Sequence, residues 1–151
     1  MNILIMSRSE IIRFAMQKRT ESCAVISIRD VGSAAPVIKR DGNGIDTVLS
    51  LSFDDVEEGN NCITERDAKK IVSFVKSLGK SYENLIIHCE FGQSRSAGVA
   101  AAVSVMLTGD DSWIFEDSRY YINFTCYTKT LSAIDADAPV WRKFLDKLKF
   151  W

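Results

Sequence analysis

Three consecutive apolar residues, Leu85-Ile86-Ile87, run directly into a short polar loop and then into an alanine-rich segment at 96–107. An apolar run this short, without polar alternation, predicts a strand covered on both faces, the habit of parallel sheets. Val99, Val103, Val105 and Met106, set among small residues, predict a buried helix after it. Strand, tight loop and helix in that order restrict the chain to the α/β class.

The rest of the chain fits this frame. Residues 2–6, 23–28 and 47–53 are apolar or β-rich and predict further strands. Residues 9–19 carry Ile11, Ile12, Phe14, Ala15 and Met16 near helical spacing. Residues 31–46 hold Gly32, Pro36, Gly42 and Gly44 and predict a loop, as does the acidic stretch 54–61. Thr64, followed by Asp67, predicts a helix start, and Gly79 its end. Helices are also expected at 119–135 and, as an amphipathic closing segment, at 140–151. The expectation is one domain over residues 1–151, with a central, mainly parallel sheet of four to five strands flanked by helices.

Composition narrows the function classes. The net charge is −1 with no basic stripe, so neither nucleic acid nor an anionic membrane is an expected partner. No apolar run approaches the roughly 20 residues that span a bilayer. The first residues lack the basic segment and cleavage site of an export signal. The four cysteines, Cys23, Cys62, Cys89 and Cys126, show no paired spacing and are read as reduced thiols in a cytoplasm. With one histidine and no Cys-x-x-Cys, no metal site and no cofactor are expected.

The chemistry concentrates after the apolar triplet, in His88-Cys89-Glu90-Phe91-Gly92-Gln93-Ser94-Arg95-Ser96. In an α/β sheet, ligands lie beyond the carboxyl ends of strands. A tight loop feeding a helix start turns backbone N–H groups inward and binds an anion. Glu90, Phe91, Gly92, Gln93 and Ser94 would supply that cradle. Cys89 stands at its edge, where the same field favours a thiolate nucleophile. Arg95 can fork two N–H donors onto two phosphate oxygens. Gly92 frees the backbone angles, and Ser96 can donate a hydroxyl to the sulfur as it leaves. Against this stands an ordinary buried thiol beside a surface cation, which the agreement of strand, loop and helix disfavours.

The run His88, Cys89, Arg95, Ser96 resembles the signature of the protein tyrosine phosphatase superfamily. Its ending, Gly92 to Ser96, resembles the dual-specificity branch. A softer similarity to small bacterial and phage tyrosine-phosphatase-like proteins extends through Met6-Ser7-Arg8, Ile26-Ser27-Ile28 and Leu51-Ser52-Phe53-Asp54-Asp55-Val56. The resemblance implies a cysteinyl-phosphate intermediate and an aspartate proton donor ahead of the signature. Asp54 and Asp55 are the candidates. Asp55 is favoured because the aliphatic Val56 follows it and because alternation from Leu51 and Phe53 keeps it on their face. Glu57 and Glu58 are read as a solvated run. For His88, support of the loop and plain packing stand level. Asn123 either braces loops, as an asparagine after the signature helix does in the relatives, or caps a helix. Ile122 stands where the relatives carry proline.

For substrate, the loop has no lysine and carries Glu90, which disfavours polyanionic lipid headgroups. A phosphorylated protein or peptide is expected, chiefly phosphotyrosine, with phosphoserine or phosphothreonine as a second activity. Phosphate, vanadate or sulfate should occupy the loop. The alternatives are an RNA 5′- or small-molecule phosphatase on the same loop, and a non-catalytic phosphate-binding module. The aromatic stretch Trp113, Phe115, Tyr120, Tyr121, Phe124 and Tyr127 is read chiefly as core.

Overall fold

A computed structural model describes residues 1–40 and 42–138. Its strands are β1 (Asn2–Met6), β2 (Cys23–Arg29), β3 (Ile45–Ser52) and β4 (Asn84–His88). Among the described residues they form one sheet in the order β1-β4-β2-β3, with every pairing parallel. The helices are α1 (Arg8–Ala15), α2 (Glu65–Leu78), α3 (Arg95–Thr108), the single turn α4 (Ser112–Phe115) and α5 (Phe124–Asp137).

Side-chain alternation sorts the core into two layers. Ala24, Ile26 and Ile28 of β2 and Leu85 and Ile87 of β4 pack with Ile71 and Val75 of α2, Val99 and Val103 of α3 and Cys126 of α5. Cys23, Val25 and Ile86 face the other way, onto Ile11 and Ala15 of α1. Leu85, Ile86 and Ile87 are wholly buried, as the unbroken apolar run predicts. Each such burial contributes about 1.5–3 kcal/mol relative to exposure. β4 lies between β1 and β2, so the loop after it opens near the middle of the sheet.

Both early helices begin with reciprocal caps, Ser7 with Glu10 and Thr64 with Asp67. α2 ends at Gly79 as expected. Two helix boundaries differ most from the sequence expectation, and one short helix falls outside it. The first helix stops at Ala15, not at residue 19, because the backbone turns there and the Arg19 N–H bonds the Gly42 carbonyl. Residues 119–123 are not helical: the N–H groups of Tyr121 and Asn123 donate to the Gln93 and Ser94 carbonyls, and α5 starts only at Phe124. α4 is too short to leave a periodic pattern. The expected closing helix at 140–151 lies outside the described residues.

Candidate active site

β4 delivers Cys89 to the carboxyl edge of the sheet, and α3 begins at Arg95. The loop between them is braced from below by the β1–α1 turn. The N–H of Cys89 donates to the Met6 carbonyl at 3.4 Å, and the N–H of Arg8 donates to the Glu90 carbonyl at 3.1 Å. Gly92 has φ +68°, and a Cβ there would lie 2.6 Å from backbone atoms of Met6 and Ser7. Only glycine tolerates both the angle and the contact. Among the described residues, the N–H groups from Glu90 to Arg95 have no protein acceptor. The Cys89 sulfur lies 3.1 Å from Ser96 Oγ.

Arg95 is 3% exposed. One nitrogen, Nη1, donates to the Phe53 carbonyl at 2.7 Å and pairs with Asp30 Oδ1 at 2.6 Å. Its Nε is buried with no partner. An unmatched buried donor costs about 1–3 kcal/mol, and a charged one more. A fork with one corner anchored and another unmatched suits an anionic ligand.

The two candidate acids occupy different environments. Asp55 Oδ1 accepts from Ser94 Oγ at 2.8 Å and from Asn123 Nδ2 at 2.9 Å, beside the loop. Asp54 accepts from the Val31 N–H at 2.8 Å and from Asn61 Nδ2 at 3.1 Å, which occupies its carboxylate in closing the base of its own loop. Asn123 does both things considered for it. Its Oδ1 accepts from the Cys126 N–H as the cap of α5, and its Nδ2 reaches Asp55 and the Val56 carbonyl. Glu57 departs from the expectation of a solvated run. Its carboxylate accepts from the N–H groups of Phe124 and Thr125 and from Thr125 Oγ1. Those bonds hold its carboxyl below the usual range, the Thr125 hydroxyl most of all.

His88 is buried on the α1 side of the sheet, and its cross-strand neighbour is Ser27. Nε2 lies 2.6 Å from Ser27 Oγ, and Nδ1 lies 3.3 Å from the Cys89 carbonyl. A carbonyl only accepts, so Nδ1 carries the proton and Nε2 accepts from the Ser27 hydroxyl. Burial pulls the imidazole down to about 4, opposed by the Cys89 carbonyl and aided by the charges of Arg8 and Arg95. His88 is therefore a neutral strut between strand and loop.

Sequence reasoning missed Ser27, Asp30 and Glu57 as parts of this cluster. Ser27 sits inside a motif that the resemblance covers, whereas nothing local marks Asp30 or Glu57. The aromatic stretch divides: Tyr120 and Tyr127 pack against the core, while Phe115, Tyr121 and Phe124 are exposed. Phe91 and Tyr121, 76% and 74% exposed, belong to the loop and to the segment bonded to it. The cysteines are free, and burial pushes the Cys126 thiol far above its ordinary range, with the Asp55 charge adding to it. Among the described residues, no group of three His, Cys, Asp or Glu is arranged to hold a metal ion. No described helix is long and apolar enough to cross a membrane.

No protein-family model and no curated protein matches the chain in sequence. Solved structures match it in shape. The structure of PTPMT1 in complex with PI(5)P aligns with TM-score 0.58 at 14% identity, over 89% of this chain and 91% of that one. Human DUSP28 aligns with TM-score 0.54 at 12% identity, over 89% and 92%. The PTP-2 phosphatase of Cydia pomonella aligns with TM-score 0.57 at 16% identity, over 87% and 84%. At these identities the likeness establishes the fold.

Proposed function

We propose that this chain, which has the fold shared by tyrosine and dual-specificity phosphatases, is a cysteine-dependent phosphatase that hydrolyses phosphate monoesters. The observation that carries the proposal is the pairing of Cys89 with a loop of unused N–H groups and an arginine whose Nε is buried without a partner. That arrangement is complementary to a phosphoryl group and to the charge that develops on its oxygens during transfer.

The reaction runs in two displacements. The Cys89 thiolate attacks phosphorus in line, so that the S–P bond forms as the bond to the leaving oxygen breaks. The loop amides and Arg95 hold the non-bridging oxygens. Asp55, as the carboxylic acid, gives its proton to the leaving oxygen. In the second step Asp55, now a carboxylate, takes a proton from water as the water oxygen bonds to phosphorus. The S–P bond breaks, and the Ser96 hydroxyl, 3.1 Å from the sulfur, stabilises the departing thiolate. Asn123 and Ser94 orient Asp55, and neutral His88 supports the loop from beneath. Arg95 and the amides supply the positive field, so the scheme calls for no metal or cofactor.

For substrate we favour phosphotyrosine in a protein or peptide, with phosphoserine or phosphothreonine as a second activity. Phe91 and Tyr121 offer apolar surface beside the loop, and Glu90, Asp54, Asp55 and Glu57 make its surroundings acidic. Although one similar structure holds PI(5)P, an acidic rim without a loop lysine disfavours a polyanionic headgroup or RNA. The free cysteines and a thiol nucleophile suit a reducing cytoplasm.

The test is turnover of p-nitrophenyl phosphate in the presence of EDTA. The expected result is activity that vanadate blocks and Cys89→Ser abolishes. Activity that survives Cys89→Ser, or that needs Mg²⁺, overturns the proposal. Phosphopeptide binding without turnover would make the chain a phosphate-binding module. Phosphopeptides, a phosphoinositide and 5′-phosphorylated RNA, compared by kcat/KM, decide the substrate class.

A further inference from the structure

Beside single bonds from Ser94 to Asp55 and from Val31 to Asp54, the loop that carries Asp55 is fastened chiefly to α5, most densely at its start. Asn123 Nδ2 reaches Asp55 and the Val56 carbonyl. Two residues on, Glu57 Oε1 accepts from the Phe124 N–H at 3.0 Å, and Oε2 accepts from the Thr125 N–H at 2.9 Å and from Thr125 Oγ1 at 2.6 Å. The same hydroxyl also donates to the Glu57 carbonyl at 2.7 Å. Further along, Lys129 Nζ donates to the Ile63 carbonyl at 2.9 Å. The first free N–H groups of a helix bear partial positive charge, and a carboxylate satisfies two of them here.

We infer that Glu57 is a positioning residue, a clasp that seats the Asp55 loop on α5 and thereby sets where the proton donor stands. The inference rests on the phosphatase proposal and extends it to a residue that never touches substrate. The geometry supports it in two ways. Glu57 is two positions from Asp55, so the clasp leaves little slack between them. Its partners, Phe124 and Thr125, directly follow Asn123, which itself bonds Asp55. Acid and clasp are thus registered on the cap and first turn of one helix. Glu58, next in sequence, makes no such bond and provides a matched control.

Proton donation matters most when the leaving oxygen is basic. Misplacing Asp55 should therefore slow phenyl phosphate far more than 2,4-dinitrophenyl phosphate, whose leaving group departs without a proton. A fold defect would slow both alike. The experiment compares kcat/KM for the two esters, which reports the first displacement and not the Asp55-assisted hydrolysis that both share, in wild type, Glu57→Ala, Glu57→Gln, Glu58→Gln and Asp55→Asn, with thermal midpoints taken alongside. General acids contribute roughly 10²–10⁴-fold. Glu57→Ala is expected to lower the phenyl-to-dinitrophenyl ratio of kcat/KM by about tenfold, a partial loss of that contribution. Glu57→Gln, which keeps one acceptor oxygen, should fall between it and wild type, and Glu58→Gln should match wild type. Adding Glu57→Ala to Asp55→Asn should change the ratio no further. An unchanged ratio in Glu57→Ala, or equal losses on both esters, overturns the clasp while leaving the phosphatase proposal intact. Wild-type protein that hydrolyses neither ester overturns both.

Discussion

Arg95 and Asp30 meet at 2.6 Å, joining the start of α3 to the turn after β2. The guanidinium is nearly inaccessible, whereas about half of the Asp30 side chain is exposed. The pair therefore does more to orient the arginine than to stabilise the fold. Asp30→Asn should leave the protein folded, with a loss of about 1–3 kcal/mol for a weakened partner of a buried charge. Its larger effect should be on anion binding. Vanadate affinity and kcat/KM should fall together, by roughly tenfold for the equivalent of one hydrogen bond to a charged group. Inhibition constants and urea unfolding check both numbers, and an unaffected vanadate affinity would sink the assignment.

Asp55 and Asp54 should separate cleanly. Asp55→Asn is expected to lower kcat for phenyl phosphate by roughly 10²–10⁴-fold while vanadate still binds. Asp54→Asn weakens bonds to Val31 and Asn61 and should change kcat much less. Steady-state kinetics and vanadate titration of the two variants decide the matter. The reverse order of effects would reassign the acid.

Gly98 lies inside α3, where alanine ordinarily stabilises a helix by about 0.5–1 kcal/mol. Here a Cβ would stand 2.5 Å from the Asn123 carbonyl and 3.0 Å from Cys126 Cβ. Gly98→Ala should instead cost about 1–3 kcal/mol by overpacking. It should also push Asn123 away from Asp55, lowering activity on substrates with poor leaving groups. Calorimetry and the two-ester comparison test this, and a raised melting temperature would contradict it.

His88 should make the fold sensitive to mild acid. Its native value of about 4 lies below the ordinary 6.5, so between them the unfolded chain binds a proton that the native one refuses. Stability contributed in this way is present above pH 6.5 and is lost as pH falls towards 4, by about 3 kcal/mol at full effect. His88→Asn should flatten that part of the profile, as followed by urea unfolding from pH 7 to pH 4.5. An unchanged slope would mean the imidazole is not buried neutral.

What the sequence made legible was local. Leu85 to Ser96 hold strand, nucleophile, cradle and arginine within one continuous stretch, so their geometry follows from spacing alone. Although β3 stops at Ser52, so that the alternation expected to carry its face through residue 55 does not extend that far, Asp55 was reachable because it closely follows a strand and carries a neighbour typical of relatives. Asp30, Ser27 and Glu57 were not, because each acts across parallel strands or between a loop and a helix, and their partners are fixed only by register. Ser27 faces His88 because β2 and β4 pair in that register. The non-helical residues 119–123 were read as helix because nothing local announces that two of their N–H groups serve the loop at Gln93 and Ser94.

The position of β4 between two hydrogen-bonded neighbours divides the molecule by durability. The sulfur hangs from a backbone that comes loose only when the sheet itself parts, whereas the proton donor hangs from an exposed loop held by side-chain bonds to a helix tip and to Ser94. Warming should release the donor first, leaving a catalyst that still captures phosphoryl groups from activated esters but no longer from ordinary ones.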